Sequence, residues 1–282
     1  MLLVPGDPLR PRRPDEHFAP EAQAAREAGW VVAVVDHDAL ERGDGAERAV
    51  ASVPSGGTAI YRGWMLGSGR YARLTHVLAQ RGVTVRTTAE QYRRAHELPE
   101  WYPALAGVTP RSAWTTSADR ADFDQARLTL GAGPAVVRDH VKSMKHYWDE
   151  AAFIADLGDR DAAWKVASRL RQLRDDDFVG GFVLREFESF TSAEVRTWWV
   201  DGRCVLIGPH PDTPHDQPPG ELDLGWLRPL IGELDLPFVT ADLALRADGV
   251  WRLVEVGDGQ VSDRPITIEP AAIIAALVGG SG

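Results

Sequence analysis

The sequence predicts an α/β first part followed by an α+β second part, and three observations carry that division. Up to about Thr109, short apolar strand-like runs alternate with helix-like runs over short links, the pattern of a parallel sheet covered on both sides. Beyond Thr109-Pro110 strand-like runs follow one another, and two pairs of them meet at Asp201-Gly202 and Asp248-Gly249. Asp-Gly pairs favour tight hairpins because both positions accept positive φ. Between these hairpins lies "PHPDTPHDQPPGELD", whose prolines and aspartates read as a loop.

In order along the first part, "LLVP" is a short strand and Glu21 to Ala28 a helix. "WVVAVVD" is a buried strand, since a continuous β-branched apolar run belongs inside a sheet. "TAIYRGW" is another strand, Tyr71 to Gln80 a helix and "VTVRT" a further strand. "TAEQYRRAHELPEWYPAL" reads as one or two short helices broken near Pro99 and Pro103. In the second part Asp119 to Leu130 is a helix and "PAVVRDHV" a strand. Asp149 to Leu157 and Asp161 to Leu173 are helices, each opening on an Asp suited to an N-cap or first turn. "GGFVLREFESF" and "AEVRTWWVDGRCVLIG" are strands, and Phe238 to Gln260 is the second hairpin.

Composition narrows the classes. The chain has 282 residues, 44% hydrophobic and 26% charged, enough for a packed core in one large or two modest domains. A formal net charge of -10 argues against general nucleic-acid binding. The one cysteine, Cys204, excludes an internal disulfide and a zinc-finger spacing. No apolar run approaches a membrane span, and the apolar stretch of "MLLVPGDPLRPRRPDEH" is too short for a signal peptide, so a cytoplasmic location is expected. The closing "GGSG" reads as a flexible end.

The second hairpin carries the sharpest chemical signal. With a two-residue Asp248-Gly249 turn, Ala247 faces Val250, Leu243 faces Val254 and Asp242 faces Glu255. Alternation then puts Val239, Ala241, Leu243, Leu245, Val250, Val254 and Val256 on a core face, with Arg252 their one polar neighbour. The other face carries two carboxylates directly opposite each other, which is destabilising unless a cation offsets them. That cation is either a nearby Lys or Arg on a solvated face or a magnesium ion, which favours one or two carboxylates with waters and phosphates. A three-residue loop would instead place Asp242 opposite Val254.

Other constellations are open at the level of residues. In "VVRDHVKSMKHYW", Arg138, Lys142 and Lys145 are either surface cations or clamps on phosphates, without a Walker-type glycine loop. Arg62 ends a strand of the first part, where open α/β sheets bind ligands; it either grips a carboxylate or pairs with a neighbouring acid. Glu194 and Arg196 share a strand face and either pair or line a cleft. His210 and His215 invite a metal reading but lack further ligands at regular spacing. No Ser-His-Asp arrangement assembles.

The order of the pieces "YRGWML", "VRDHVKSMKHYW", "LREFESF", "EVRTWWVDG" and "TADLALRADGVWRLVEVGDGQVS" resembles the ATP-grasp superfamily, in a little-characterised clade once described as a domain of unknown function. The resemblance runs from about Ala59 to about Ser262. It implies an ATP-grasp fold with an N-terminal Rossmann-like α/β domain, residues 1–110, followed by two α+β subdomains clasping the nucleotide, residues 111–185 and 186–282. It implies Mg²⁺ and ATP as cofactors. Arg138 would stand at the strand-lysine position, with Lys142 over the phosphates and Lys145 as helper. Leu184, Arg185, Glu186 and Phe187 would form the adenine linker, and Glu188 would hold the ribose. Asp242 and Glu255 would be metal ligands, with Asp258 or Gln260 as a further one, because Gly257 stands where many relatives have Asn. Arg185 and Arg196 would face the phosphates or an acylphosphate, and Arg62 the substrate.

The activity so implied is an ATP-dependent carboxylate–amine ligase that joins small carboxylate and amine substrates, by family analogy an amino acid or peptide, with no nucleic acid or membrane partner. A nucleotide-holding module without ligase activity and a magnesium-dependent small-molecule phosphotransferase are the alternatives.

Overall fold

The structure is a computed structural model that describes residues 1–42 and 45–279. Most of the expected flexible "GGSG" end lies outside the described residues. In chain order the elements are β1 (Leu2–Asp7), β2 (Arg10–Pro14), α1 (Ala19–Glu27), β3 (Val32–Val35), α2 (His37–Arg42), α3 (Ala46–Ala49), β4 (Gly57–Tyr61), α4 (Ser68–Gln80), β5 (Val83–Val85), α5 (Ala89–His96), α6 (Leu98–Leu105), β6 (Ser112–Trp114), α7 (Arg120–Leu130), β7 (Ala135–Asp139), β8 (Phe153–Ile154), α8 (Arg160–Arg174), β9 (Phe182–Glu186), β10 (Val195–Val200), β11 (Arg203–Pro209), α9 (Arg228–Glu233), β12 (Phe238–Leu245), β13 (Trp251–Asp258) and α10 (Pro270–Gly279). They group into two compact units, one of residues 1–95, 193–243 and 255–282 and the other of residues 96–192 and 244–254.

In the first unit the alternating pattern folds into a five-stranded sheet that is parallel except for β2, which pairs antiparallel with the end of β1. β1 pairs in parallel with β3 on one side and β4 on the other, and β4 pairs in parallel with β5. Alternation along β1 sends side chains into two cores. Leu3 joins Val35, Ala59 and the α4 residues Tyr71, Leu74 and Leu78. Leu2 and Val4 join Ala22 and Ala25 of α1, Ile273 and Ile274 of α10, and Trp198 and Phe238 of the second sheet. Each fully buried Leu, Val or Ile here contributes about 1.5–3 kcal/mol. The second sheet of this unit has the order β11-β10-β12-β13. Its first hairpin closes on Val200 opposite Arg203, with Asp201 and Gly202 at φ 48° and 73°, the two-residue turn the Asp-Gly pair predicts.

The second unit holds an antiparallel sheet of order β6-β9-β7-β8. Phe123 and Ala126 of α7 and Ala163, Ala167 and Leu170 of α8 cover it, against Val137, Phe182 and Leu184. The cap of α8 is Asp159, whose carboxylate accepts the Ala162 N–H, so Asp161 is a first-turn acid. The helix expected over Asp149 to Leu157 is not formed. Trp148–Ala152 make one π turn, and Phe153 and Ile154 then pair with Val136 and Ala135 of β7; sheet pairing outweighs local helix preference there.

The second hairpin also departs from expectation at its tip. Arg246 N–H donates to Val250 O (2.9 Å) and Gly249 N–H to Arg246 O (2.9 Å), with Gly249 at φ 83°. This is a three-residue loop, not a two-residue turn, and Val250, expected in the core, is exposed. No helix among the described residues is long and apolar enough to cross a membrane.

Candidate functional site

In the first unit Arg196 of β10 lies directly opposite Asp242 of β12. The guanidinium meets the carboxylate with both forks, Nε to Oδ1 at 2.8 Å and Nη2 to Oδ2 at 2.7 Å. Two such bonds between ionised groups are short, strong and orientation-specific. Asp242 is buried, so β12 is covered on both faces and the solvated face considered for this strand is not observed. The cation beside Asp242 in the protein alone is therefore an arginine. Burial alone would lower the Arg196 pKa, but Asp242, with smaller contributions from Glu255 and Asp263, more than offsets this and holds it above the ordinary value. At the base of the hairpin Gly259 N–H donates to Phe238 O (3.0 Å), which fits Asp242 opposite Glu255, whereas the three-residue loop at the tip, with Arg246 bonded to Val250, fits Asp242 opposite Val254, so the register shifts by one residue between tip and base.

Two residues before Arg196, and so on its face, stands Glu194. Just past β11 stands His210, whose N–H donates to Glu194 O (3.1 Å). Its ring Nε2 is 3.1 Å from Arg196 Nη2, 3.6 Å from Asp242 Oδ2 and 3.9 Å from Glu194 Oε2. Glu194, His210 and Asp242 offer ligand atoms that all lie within 4.8 Å of one another. The sequence disfavoured His210 as a ligand for want of regular spacing. Sheet pairing supplies the partners that spacing did not show.

Asp258 does not join this cluster. It is three residues from Glu255 on one strand and so points to the opposite face. It is fully buried with burial pushing its pKa up to about 7. One oxygen accepts Gln260 N–H at 2.7 Å, while the other has no hydrogen-bond partner of ordinary geometry. Gln260 in turn bonds the Tyr71 hydroxyl and Tyr61 N–H, and Tyr71 stacks on Tyr92 at 3.8 Å.

Arg62 is also turned inward. It follows β4, 1% exposed, and grips Glu21 of α1 through Nε (2.7 Å) and Nη2 (2.9 Å). Nη1 donates to the carbonyls of Gly259, Gln260 and Ser262 at 2.6, 3.1 and 3.0 Å. An arginine committed in this way does not present a free fork to a substrate; it fixes the segment after β13. The Glu21 carboxyl, which burial alone would raise, is held below its usual range by Arg62, Arg264 and His17.

In the second unit the buried Asp139 organises the turn after β7. Its Oδ1 accepts the N–H groups of Val141 (2.7 Å) and Lys142 (2.6 Å), and its Oδ2 accepts from Arg174 Nε (2.9 Å). Lys142 and Lys145 are exposed. Arg138 is buried and donates to the Val141 carbonyl of the same turn. Leu184 and Arg185 sit inside the sheet, paired with Val137 and Val136 on one side and Ala113 and Ser112 on the other. Only the last part of the expected linker lies beyond the strand, because β9 ends at Glu186. Glu186 is 3.3 Å from Arg111. Phe187, half exposed, packs with Phe153 at 5.3 Å, and Phe153 stacks on Trp148. Glu188 is held by Arg252 through two bonds of 2.9 Å, and Arg185 donates to Val254 O and Thr109 Oγ1, both at 2.8 Å. The sequence reading missed Glu21 and Asp139; a lone polar residue beside an apolar run gave no local signal for a buried role.

The sequence profile of an ATP-grasp domain family, the third of its clade, matches residues 129–277, more than half of the chain. The chain belongs to this ATP-grasp family. Solved structures agree on the fold. A RimK domain protein ATP-grasp from Sphaerobacter thermophilus superposes with a TM-score of 0.64 at 15% identity, covering 99% of this chain and 100% of that one. D-cycloserine synthetase DcsG gives 0.63 at 16% identity, covering 99% and 98%. N5-carboxyaminoimidazole synthetase from Staphylococcus aureus, complexed with ADP, gives 0.61 at 12% identity, covering 100% and 77%. No curated protein sequence matches the chain significantly.

Within this ATP-grasp chain, Gly257 has a local physical reason. A Cβ there would lie 3.1 Å from Thr240 Oγ1 and 3.2 Å from Ser262 Oγ, and those two hydroxyls bond each other at 2.7 Å. An Asn does not fit without moving that pair. The donor set on the other strands fits a divalent cation: carboxylates and an imidazole already gathered around a positive charge. Cys204 offers no nucleophile, since burial pushes its thiol up to about 11, leaving it neutral at pH 7.

Proposed function

We propose that the chain is an ATP-dependent carboxylate–amine ligase. The observation that carries this reading is the buried Arg196–Asp242 pair, with Glu255, Glu194 and His210 around it, in a chain of the ATP-grasp family. A bound magnesium ion would neutralise phosphate charge and orient the γ-phosphoryl group. Asp242 and Glu255 would hold it. Lys142 and Lys145, on the turn fixed by Asp139, would contact the phosphates, with Arg138 buttressing that turn. Phe187 and Glu188 would contact the base and ribose, Glu188 by leaving Arg252. Arg62 and Arg185 would act as positioning residues, and Arg196 would meet negative charge on the reacting groups.

In the proposed reaction a substrate carboxylate oxygen bonds to the γ-phosphorus of ATP and ADP leaves. The amine nitrogen then bonds to the acyl carbon of that acylphosphate, inorganic phosphate leaves, and the amine gives up a proton. Positioning and charge neutralisation do most of this work, which agrees with the neutral Cys204 thiol. Small carboxylates and amines, including amino acids and peptides, are the proposed substrates.

The nucleotide-holding module is favoured by two specific features: the strand-lysine position is Arg138, bound to its own turn, and the Asn position is Gly257. ADP release that needs both an acid and an amine, with a hydroxamate formed when hydroxylamine replaces the amine, supports the ligase. Nucleotide binding without ADP release from any pair supports the module. A phosphorylated acceptor that accumulates without amide supports a phosphotransferase.

A further inference from the structure

β1 and β4 lie side by side in the sheet of the first unit, and the helices that follow them pack on opposite faces. α1 covers Leu2 and Val4, and α4 covers Leu3. In open α/β sheets the crevice at the carboxyl ends of two such strands is where ligands bind. Two exposed rings meet at this edge. Asp15 N–H donates to Pro5 O of β1 (2.9 Å), which brings His17 back to the end of that strand. Trp64 follows β4, and its carbonyl accepts from the Tyr61 hydroxyl (3.0 Å). The His17 and Trp64 ring centroids are 4.6 Å apart, and Phe18 meets the imidazole at 4.7 Å.

Asp263 completes the group. Its Oδ1 is 3.0 Å from His17 Nε2, and its carbonyl accepts from Arg196 Nη1 at 3.3 Å. The segment that carries it is anchored on either side, since Arg62 holds the Ser262 carbonyl (3.0 Å) and Arg264 Nε lies 3.5 Å from Glu21. An ionised carboxylate only accepts, so in the neutral imidazole the proton sits on Nε2 and the lone pair on Nδ1. Nδ1 has no hydrogen-bond partner among the described residues. The ring is thus oriented by three neighbours while its basic nitrogen is left available.

We infer that His17 is the general base for the amine half of the proposed reaction, with Asp263 as the residue that positions its ring. This inference rests on the ligase reading. The surroundings select an amine over a carboxylate: Asp263, Asp15, whose Oδ1 accepts the His17 N–H (2.9 Å), and the exposed indole face of Trp64 all attract an ammonium group. An ammonium nitrogen has no lone pair, so it must lose a proton before it attacks. His17 Nδ1 takes that proton. The nitrogen then bonds to the acyl carbon, the acyl carbon–oxygen bond breaks, and inorganic phosphate leaves with the electron pair and takes the second proton from nitrogen. The imidazolium, held by Asp263, returns its proton to water. Through Asp263 the base adjoins Arg196, the residue proposed to meet negative charge on the reacting groups.

The test uses the full chain with Mg²⁺-ATP and an equimolar mixture of the common amino acids as the acid. The nucleophile is either the same amino acids or hydroxylamine, which is largely unprotonated near neutral pH and needs no base to free its lone pair. His17→Gln is expected to slow amide formation by about 10²-fold or more, the range a general base supplies, and to slow hydroxamate formation by a factor at least about tenfold smaller. Asp263→Asn is expected to lower the same amide-to-hydroxamate ratio. Equal losses with the two nucleophiles make the His17–Asp263 contact a structural tie and overturn the inference, as does an amide rate in His17→Gln within about threefold of wild type. Hydroxamate without amide in wild type also overturns it. All three results leave an acylphosphate-forming ligase standing. Absence of both products in wild type removes the ligase reading and this inference with it.

Discussion

Replacing Arg62 by Met removes the cation from a pair in which Arg62 is 1% and Glu21 4% exposed at the side chain. Glu21 is left as a buried carboxylate, a change that costs about 3–5 kcal/mol when a buried pair loses one member. Arg264 Nε, 3.5 Å from Glu21, retains part of the compensation and draws the value toward the lower end. The carbonyls of Gly259, Gln260 and Ser262 lose a donor as well, which adds about 1 kcal/mol or more. At about 2–4 °C per kcal/mol for a domain of this size, Tm falls by roughly 8–16 °C for about 4 kcal/mol. Differential scanning calorimetry reads this directly. Arg62→Met combined with Glu21→Leu is expected to recover a large part of the loss, because replacing both partners of a buried pair by apolar groups is often near neutral. A fall below about 2 °C, or a double variant as unstable as the two single losses added, refutes the reasoning and returns Arg62 to a substrate-facing role.

Asp258 makes the first unit pH-sensitive. Its folded pKa of about 7 lies above the unfolded value, so the folded state binds the proton more tightly. The associated stability is fully present below about pH 4 and is lost as pH rises through 7, a span of about 4 kcal/mol. Urea midpoints from pH 5 to 8 are expected to fall more steeply in wild type than in Asp258→Asn; equal slopes contradict the assignment. In the second unit Gly180 has φ 69° and a Cβ there would lie 2.1 Å from His140 Nδ1. Gly180→Ala is therefore expected to cost more than about 2 kcal/mol through backbone strain and displacement of His140, read from thermal unfolding, and a change under about 0.5 kcal/mol refutes it.

What could be read in the sequence depended on whether the cause was local. The runs that became β1, β3 and β4 announced themselves because their side chains are apolar on both faces. Asp201-Gly202 announced its turn because two positive φ angles are a property of two residues. Asp248-Gly249 carried the same signal and folded differently, since Gly249 alone takes positive φ and Asp248 instead bonds Arg246 through two contacts of 3.0 and 2.7 Å. Phe153–Ile154 looked helical because their partners in β7, Val136 and Ala135, lie earlier in the chain beyond the intervening turn residues. The ATP-grasp fold was legible from the order of its pieces. The surroundings of Asp242 were legible in part: the need for a cation followed from the facing carboxylates, but Arg196 and His210 arrive through pairing of separate strands. Arg62 was legible only as a pair of alternatives, a grip on a carboxylate ligand or on a neighbouring acid, because its position at a strand end says where it is and nothing of the Glu21 carboxylate buried beside it.

The central claim is that the acidic cluster on the hairpin serves a metal-bound nucleotide. The most direct test is thermal unfolding with and without Mg²⁺-ATP, on wild type, Asp242→Asn and Glu255→Gln. At about a hundred times its dissociation constant a ligand stabilises by about 2.7 kcal/mol, or roughly 5–10 °C here. The account predicts that shift in wild type and its loss in both variants. No shift in wild type at millimolar Mg²⁺-ATP, or an undiminished shift in both variants, contradicts it.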